Sequence, residues 1–171
     1  AMAARRGGVV DHRLLLRAAW PDPASVDPET LRTHLARLNA NGTLDTTFNV
    51  TGTGFDGDVR AIAIQTNGRI VVGGYFKSYD GTNSGGVVRL LDTGARDTTF
   101  SYGTGGTGFN WFGQAPNVEA VTLQGDEKIL VGGDFSHCNG TVARGIARLA
   151  TDGTFDISFT VTGLTDPYAR Q

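Results

Sequence analysis

His137 and Cys138 are the one place in this sequence where a nucleophile stands directly beside a base. Adjacent residues of a strand point to opposite faces, so within a strand these two do not act on each other. In a loop they could meet, but no third group is in sight to orient the histidine. The three histidines, His12, His34 and His137, lack the spacing that gathers three or four metal ligands. No metal and no cofactor is expected.

Carboxylates offer a second chemistry. Asp45, Asp97 and Asp156 each follow a glycine turn and each precede a phenylalanine by three positions, giving Asp45 to Phe48, Asp97 to Phe100 and Asp156 to Phe159. A hydrolase acting on polysaccharide needs two carboxylates facing one bond across a cleft. Carboxylates at the same place in every repeat are instead spread through the fold. A carboxylate just after a turn characteristically accepts backbone N–H bonds and fixes it. The recurring Arg37, Arg89 and Arg148 are expected to pair with these aspartates or to bridge neighbouring strands.

Two stretches fit the pattern G-x-G-x-x-G, Gly52 to Gly57 and Gly103 to Gly108. The dinucleotide version needs a helix directly after the loop, with its N-terminus facing the pyrophosphate. Here the segments that follow, Val59 to Ile64 and Val118 to Leu123, read as strands, so these glycines make turns. Three glycosylation sequons, starting at Asn41, Asn49 and Asn139, carry little weight in so Gly/Thr-rich a repeat. The most individual stretch is the loop 101–117, where Tyr102, Phe109, Trp111 and Phe112 stand close together, with Tyr102, Trp111 and Phe112 as candidate ligand contacts and Phe109 either joining them or repeating Phe55 as a core residue. Aromatics on a loop held by a rigid scaffold suit a sugar or a protein surface.

The elements that hold these residues come from an internal repeat. Ile70-Val71-Val72-Gly73-Gly74 recurs as Ile129-Leu130-Val131-Gly132-Gly133, a short buried strand whose Gly pair marks a bulge or a close backbone approach. Before it runs Val59 to Ile64, matched by Val118 to Leu123, with bulky Ile62 and Ile64 on one face and small Ala61 and Ala63 on the other. A strand apolar on both faces, large against small, belongs between packed sheets. After it come Val87 to Leu90 and Ile146 to Leu149, aligned with Leu35 to Leu38, then the turns Asn41-Gly42, Thr93-Gly94 and Asp152-Gly153. The phenylalanines Phe48, Phe100 and Phe159 fall 52 and 59 residues apart and are expected as core anchors. Four short antiparallel strands at this period are the signature of propeller blades.

The linked motifs, Ala36-Arg37-Leu38 through Asp45-Thr46-Thr47-Phe48 and then Ala61-Ile62-Ala63-Ile64 through Gly73-Gly74-Tyr75-Phe76, resemble the delta-60 repeat, a bacterial β-propeller family of undefined function. The resemblance covers roughly residues 35–160 and implies a propeller in an extracellular or surface protein, with no catalytic motif to carry over.

The expected fold is all-β. A half blade at 35–50 is followed by whole blades at 59–100 and 118–160 and a tail at 161–171. Residues 1–34 do not match the repeat. Asp27 there is a helix cap with Pro28 at the first helical position, and any helix is limited to 28–34. Two whole blades and a half expose a large face at one end and a small one at the other. A ring closed by a homo-oligomer of two or three copies is therefore expected, the alternative being closure by further blades of a longer parent sequence.

Composition excludes other classes. Charged residues make 19% of the chain and the net charge is −2, so no basic excess points to nucleic acid or an anionic membrane surface. No apolar run approaches the ~18 residues that span a bilayer. One cysteine cannot form an internal disulfide. The expected function is a non-enzymatic repeat module for assembly or adhesion at the bacterial surface or in a secreted protein. The alternatives are a glycan- or protein-binding module and, further off, a polysaccharide hydrolase.

Overall fold

A computed structural model describes residues 9–10, 35–37, 39, 41–43, 45–48, 52–101, 108–110 and 116–160. The helix expected at 28–34 lies outside these residues, as do Tyr102, Trp111 and Phe112. All regular structure among the described residues is β, so none of it is a helix long and apolar enough to cross a membrane.

Thirteen strands follow one another among the described residues. β1 (Val9–Val10) and β2 (Ala36–Arg37) form a pair. Blade one contains β3 (Asp58–Ile64), β4 (Ile70–Tyr75), β5 (Ser78–Tyr79), β6 (Thr82–Asn83) and β7 (Val87–Leu90). Blade two repeats it, with β8 (Phe109–Asn110) added in front of β9 (Asn117–Leu123), β10 (Ile129–Asp134), β11 (His137–Cys138), β12 (Thr141–Val142) and β13 (Ile146–Leu149). The main sheets are antiparallel, ordered β3-β4-β7 and β9-β10-β13. β1 pairs with β2 as Val9 to Arg37 and Val10 to Ala36, the register in which Val71 and Val72 of β4 face Arg89 and Val88. The N-terminal strand thus stands in the half blade where β4 stands in a whole one.

The Gly-Gly pairs do what their spacing predicts. Gly74 pairs with Val59 and Gly73 with Ala61, so Arg60 has no partner and bulges out; in blade two Gly133 faces Val118, Gly132 faces Ala120, and Glu119 bulges. A Cβ on Gly74 would run into the Asp58 carbonyl, and one on Gly133 into that of Asn117. This is the steric reason the second glycine is fixed.

The fourth strand takes a different form from the expected one. Asp97 to Phe100 and Asp156 to Phe159 are turns, and the fourth position is reduced to single bridges, Leu90 to Arg96 and Leu149 to Phe155. The aspartate claims the backbone N–H two residues on, and a residue so engaged leaves the ladder. Each blade gains instead a short ribbon after β4 or β10. β5 pairs with β6 and is bridged by Phe55, while β11 lies between β8 and β12.

Blades pack face to face. Along β4 the side chains alternate, Ile70 and Val72 joining Phe48, Val88 and Leu90 on one side. Val71 joins Val118, Ile129 and Val131 of blade two on the other. The expected burial of the first strand on both faces is corrected, since Ile64 is 45% exposed at the strand's end and Ala120 and Thr122 are exposed, and large meets small instead between β9 and β4. The place where a Gly73 side chain would stand is taken by Val118 and Val121. Phe48 belongs to the cluster of blade one and Phe100 to that of blade two, each anchoring its own unit on the next.

Candidate functional site

The repeated arginine, aspartate and phenylalanine form one structural node per blade. In blade one Asp97 Oδ1 accepts bonds from the Thr99 N–H at 2.9 Å and the Thr99 hydroxyl at 2.6 Å, closing the turn. Its Oδ2 accepts from Arg89 Nε at 2.8 Å and lies 3.1 Å from Arg69 Nε. Arg89 lies over the Phe100 ring, 4.6 Å from its centroid, and its Nη1 donates to the Thr151 carbonyl of the next blade. Ser101 N–H donates to the Asp152 carbonyl at 2.7 Å, and the Phe100 ring fills the space above Gly153. One hairpin of blade two is therefore held by three residues of blade one.

Blade two builds the same node with its outer half open. Arg148 Nε donates to Asp156 Oδ2 at 2.9 Å and lies over Phe159 at 4.7 Å, and Asp156 holds Ser158 as Asp97 holds Thr99. The side chain of Arg148 is 20% exposed where that of Arg89 is 3%. Phe48 and Phe100 are buried, whereas Phe159 is only half-buried. Its expected role as a core anchor is corrected on this point, because among the described residues no blade lies over it. In the half blade Asp45 Oδ1 accepts from the N–H and hydroxyl of Thr47, so all three aspartates are turn-makers.

The carboxyls of Asp97 and Asp156 are both held in the charged form. Burial works to raise the Asp97 carboxyl, but the Thr99 bonds and the Arg89 charge outweigh it and hold it below the usual range. The hydroxyl of Ser158 does most to lower Asp156. Neither is poised to give or take a proton near neutrality. Burial pushes the Cys138 thiol up to about 12, which leaves it inert as a nucleophile. His137 meets the Ser136 hydroxyl at 2.8 Å through Nδ1, on the strand it shares with the buried Cys138. Among the described residues no group of three His, Cys, Asp or Glu side chains is placed to hold a metal ion.

The candidate site is therefore a surface. Val142 is 55% exposed and Ile157 is 77% exposed on the outer face of blade two. With Ile146, Phe155 and Phe159 they line a groove of about 310 Å³. The corresponding positions of blade one are Asn83, Val87, Arg96, Thr98 and Phe100. Val87 and Phe100 are buried there beneath blade two. The repeat alone does not reveal this contrast, whose signal in the sequence is Val142, Phe155 and Ile157 standing where blade one has Asn83, Arg96 and Thr98. Phe109, by contrast, is buried against Phe135 with ring centroids 4.3 Å apart, the core residue that Phe55 predicts.

Antiparallel units of one design, repeated every 52 to 59 residues and stacked face to face, each carrying the same aspartate-closed turn, define a β-propeller repeat protein. The family model described as domain of unknown function (DUF5122) beta-propeller matches residues 29–48, 65–100 and 124–159, more than half of the chain, and the chain belongs to that family. A comparison with curated proteins gives no match.

Proposed function

We propose that this chain is a structural module that supplies propeller blades to an assembly and carries out no catalysis, in the extracellular or surface setting its repeat implies. The observation that carries this is Arg89. Blade one's copy of the repeated arginine, the residue type that looks most functional in the repeat, is buried, paired with Asp97 and directed onto the carbonyl of the next blade's hairpin. A hydrolase would aim two carboxylates at one bond; Asp97 and Asp156 each face an arginine and their own turn. The open apolar face of blade two supports self-assembly as the way the module works.

Sedimentation of the full chain at micromolar concentration tests this. The expected mass is two or three times 18.0 kDa, and a clean single-chain species would overturn it. Turnover in a broad glycosidase screen would overturn the non-enzymatic part. Glycan binding by a single-chain species, lost when Tyr102, Trp111 and Phe112 are replaced by alanine, would put a binding module in its place.

A further inference from the structure

The two ends of the described fold carry the two halves of one contact. At the junction between the blades, Phe100 covers Gly153, and the nearest ring atom would lie 2.7 Å from a Cβ built there. Gly153 is buried, and so is its counterpart Gly94 in blade one. The third member of the series is Gly42, in the half-blade hairpin closed by the same bonds, Asn39 N–H to the Thr43 carbonyl and Gly42 N–H to the Asn39 carbonyl. Its φ of 83° matches the 84° of Gly94 and the 88° of Gly153. Yet Gly42 is exposed, and among the described residues nothing lies within 4 Å of a Cβ there. At the other end Phe159 is the half-buried member of the phenylalanine series. Arg148 above it is more exposed than Arg89, which finds a carbonyl of the next blade. One end thus presents a covering ring without its glycine, the other a glycine without its ring.

We infer that the outer face of blade two docks onto the Asn41-Gly42 hairpin of a second copy of this chain, head to tail, repeating the junction between blades one and two. Phe159 of one copy covers Gly42 of the next, and Thr160 N–H donates to the Asn41 carbonyl as Ser101 does to that of Asp152. Val142 and Ile157, apolar where blade one has Asn83 and Thr98, add contact area at the rim of this junction alone. A contact between unlike ends closes into a ring when its rotation fits. This rests on the proposed assembly function and names the surfaces that perform it.

Two single-cysteine variants, Asn41→Cys and Thr160→Cys, test it. The junction within the chain brings Ser101 N to 2.7 Å from Asp152 O, so the two backbones run side by side at the places equivalent to 160 and 41. Cys138 is fully buried and does not compete. Mixing the two folded variants under mild oxidation is expected to give a disulfide-linked pair containing one of each, with little from either alone. A species that sediments as an oligomer but links 41 to 41, links 160 to 160, or does not link at all would overturn the head-to-tail geometry while leaving assembly standing. A single-chain mass would overturn both. A second pair of variants reads the socket without chemistry on cysteine. Gly42→Asn should lower the oligomer fraction at least tenfold, because asparagine tolerates positive φ but fills the space meant for Phe159. Gly68→Asn, in a similar turn at φ 83°, should leave it unchanged. Equal effects of the two substitutions would count against the inference.

Discussion

Arg60 and Glu119 stand at the same place in successive blades, and Arg60 Nη1 meets Glu119 Oε1 at 2.5 Å. Both are the bulged residues that the Gly-Gly pairs force out of register, so a steric requirement inside each sheet produces an ion pair between sheets. Their side chains are 34% and 50% exposed, which limits such a pair to about 0.2–1 kcal/mol. Glu119→Arg should therefore lower stability by about 1 kcal/mol, through the lost attraction and the new repulsion. The double swap Arg60→Glu with Glu119→Arg should return most of it. Urea titration of the four proteins checks this, and the coupling should shrink in about 1 M salt.

Phe100 and Gly153 are two sides of one contact. Phe100→Ala removes a buried ring and should cost about 3–5 kcal/mol, a large part of a typical domain's ~5–15 kcal/mol. Gly153→Val drives a side chain into the same ring from a backbone at φ 88° and should be comparably damaging. In the double variant the small alanine side chain makes room for the valine, so the two losses should fall short of additive. Additive losses would mean that the ring is seated elsewhere.

Much of the architecture was legible because the repeat states each rule twice. Ile70 to Gly74 and Ile129 to Gly133 agree on a buried strand with a bulge, and no single copy would have carried that. The aspartates were legible as turn-makers for the same reason. Strand four was not, because the Asx bonds of Asp97 and Asp156 compete with the ladder and alternation does not register them. The ribbons β5–β6 and β11–β12 were missed although Asp80-Gly81 and Asn139-Gly140 mark them. Asp80 and Asn139 both sit at φ 48°, the conformation a tight hairpin asks of such residues. The open face of blade two was hidden for another reason. Phe159 has the sequence context of Phe100, and only the arrangement of blades in space says that one is covered and the other is not.

Acid should unfold the chain through Asp97. Its carboxyl is held below the ordinary value of 3.8 in the folded state, so the folded protein binds fewer protons than the unfolded chain in the window between the two values. The associated stability is fully present above pH 3.8 and is lost as pH falls through the folded value. Asp97→Asn should flatten this limb, while stability at neutral pH drops because Arg89 is left buried with a neutral partner. Chemical denaturation from neutral pH down to about pH 2 checks both. A limb of unchanged steepness in the variant would assign the acid sensitivity to other carboxylates.

Glu127 occupies the turn position that Gly68 fills in blade one, and it does so at φ 63° against 83°. The left-handed region costs a residue with a Cβ about 1–2 kcal/mol, a penalty glycine escapes. Two effects oppose a change to glycine. The Glu127 carboxylate accepts from the Thr66 N–H at 3.3 Å, a long and exposed bond across the blades, and glycine gains freedom in the unfolded chain. The hydrogen bond is too long and too wet to match the backbone term, and the unfolded-chain term offsets only part of it. Glu127→Gly should therefore raise stability by about 0.5–1 kcal/mol, and Glu127→Asn by less, since asparagine visits this region at reduced cost. The same change at Lys128, which lies outside the positive-φ region, should destabilise. Thermal melts of the three variants rank these effects. A drop in stability for Glu127→Gly would show that its contact with Thr66 outweighs the strain of its backbone.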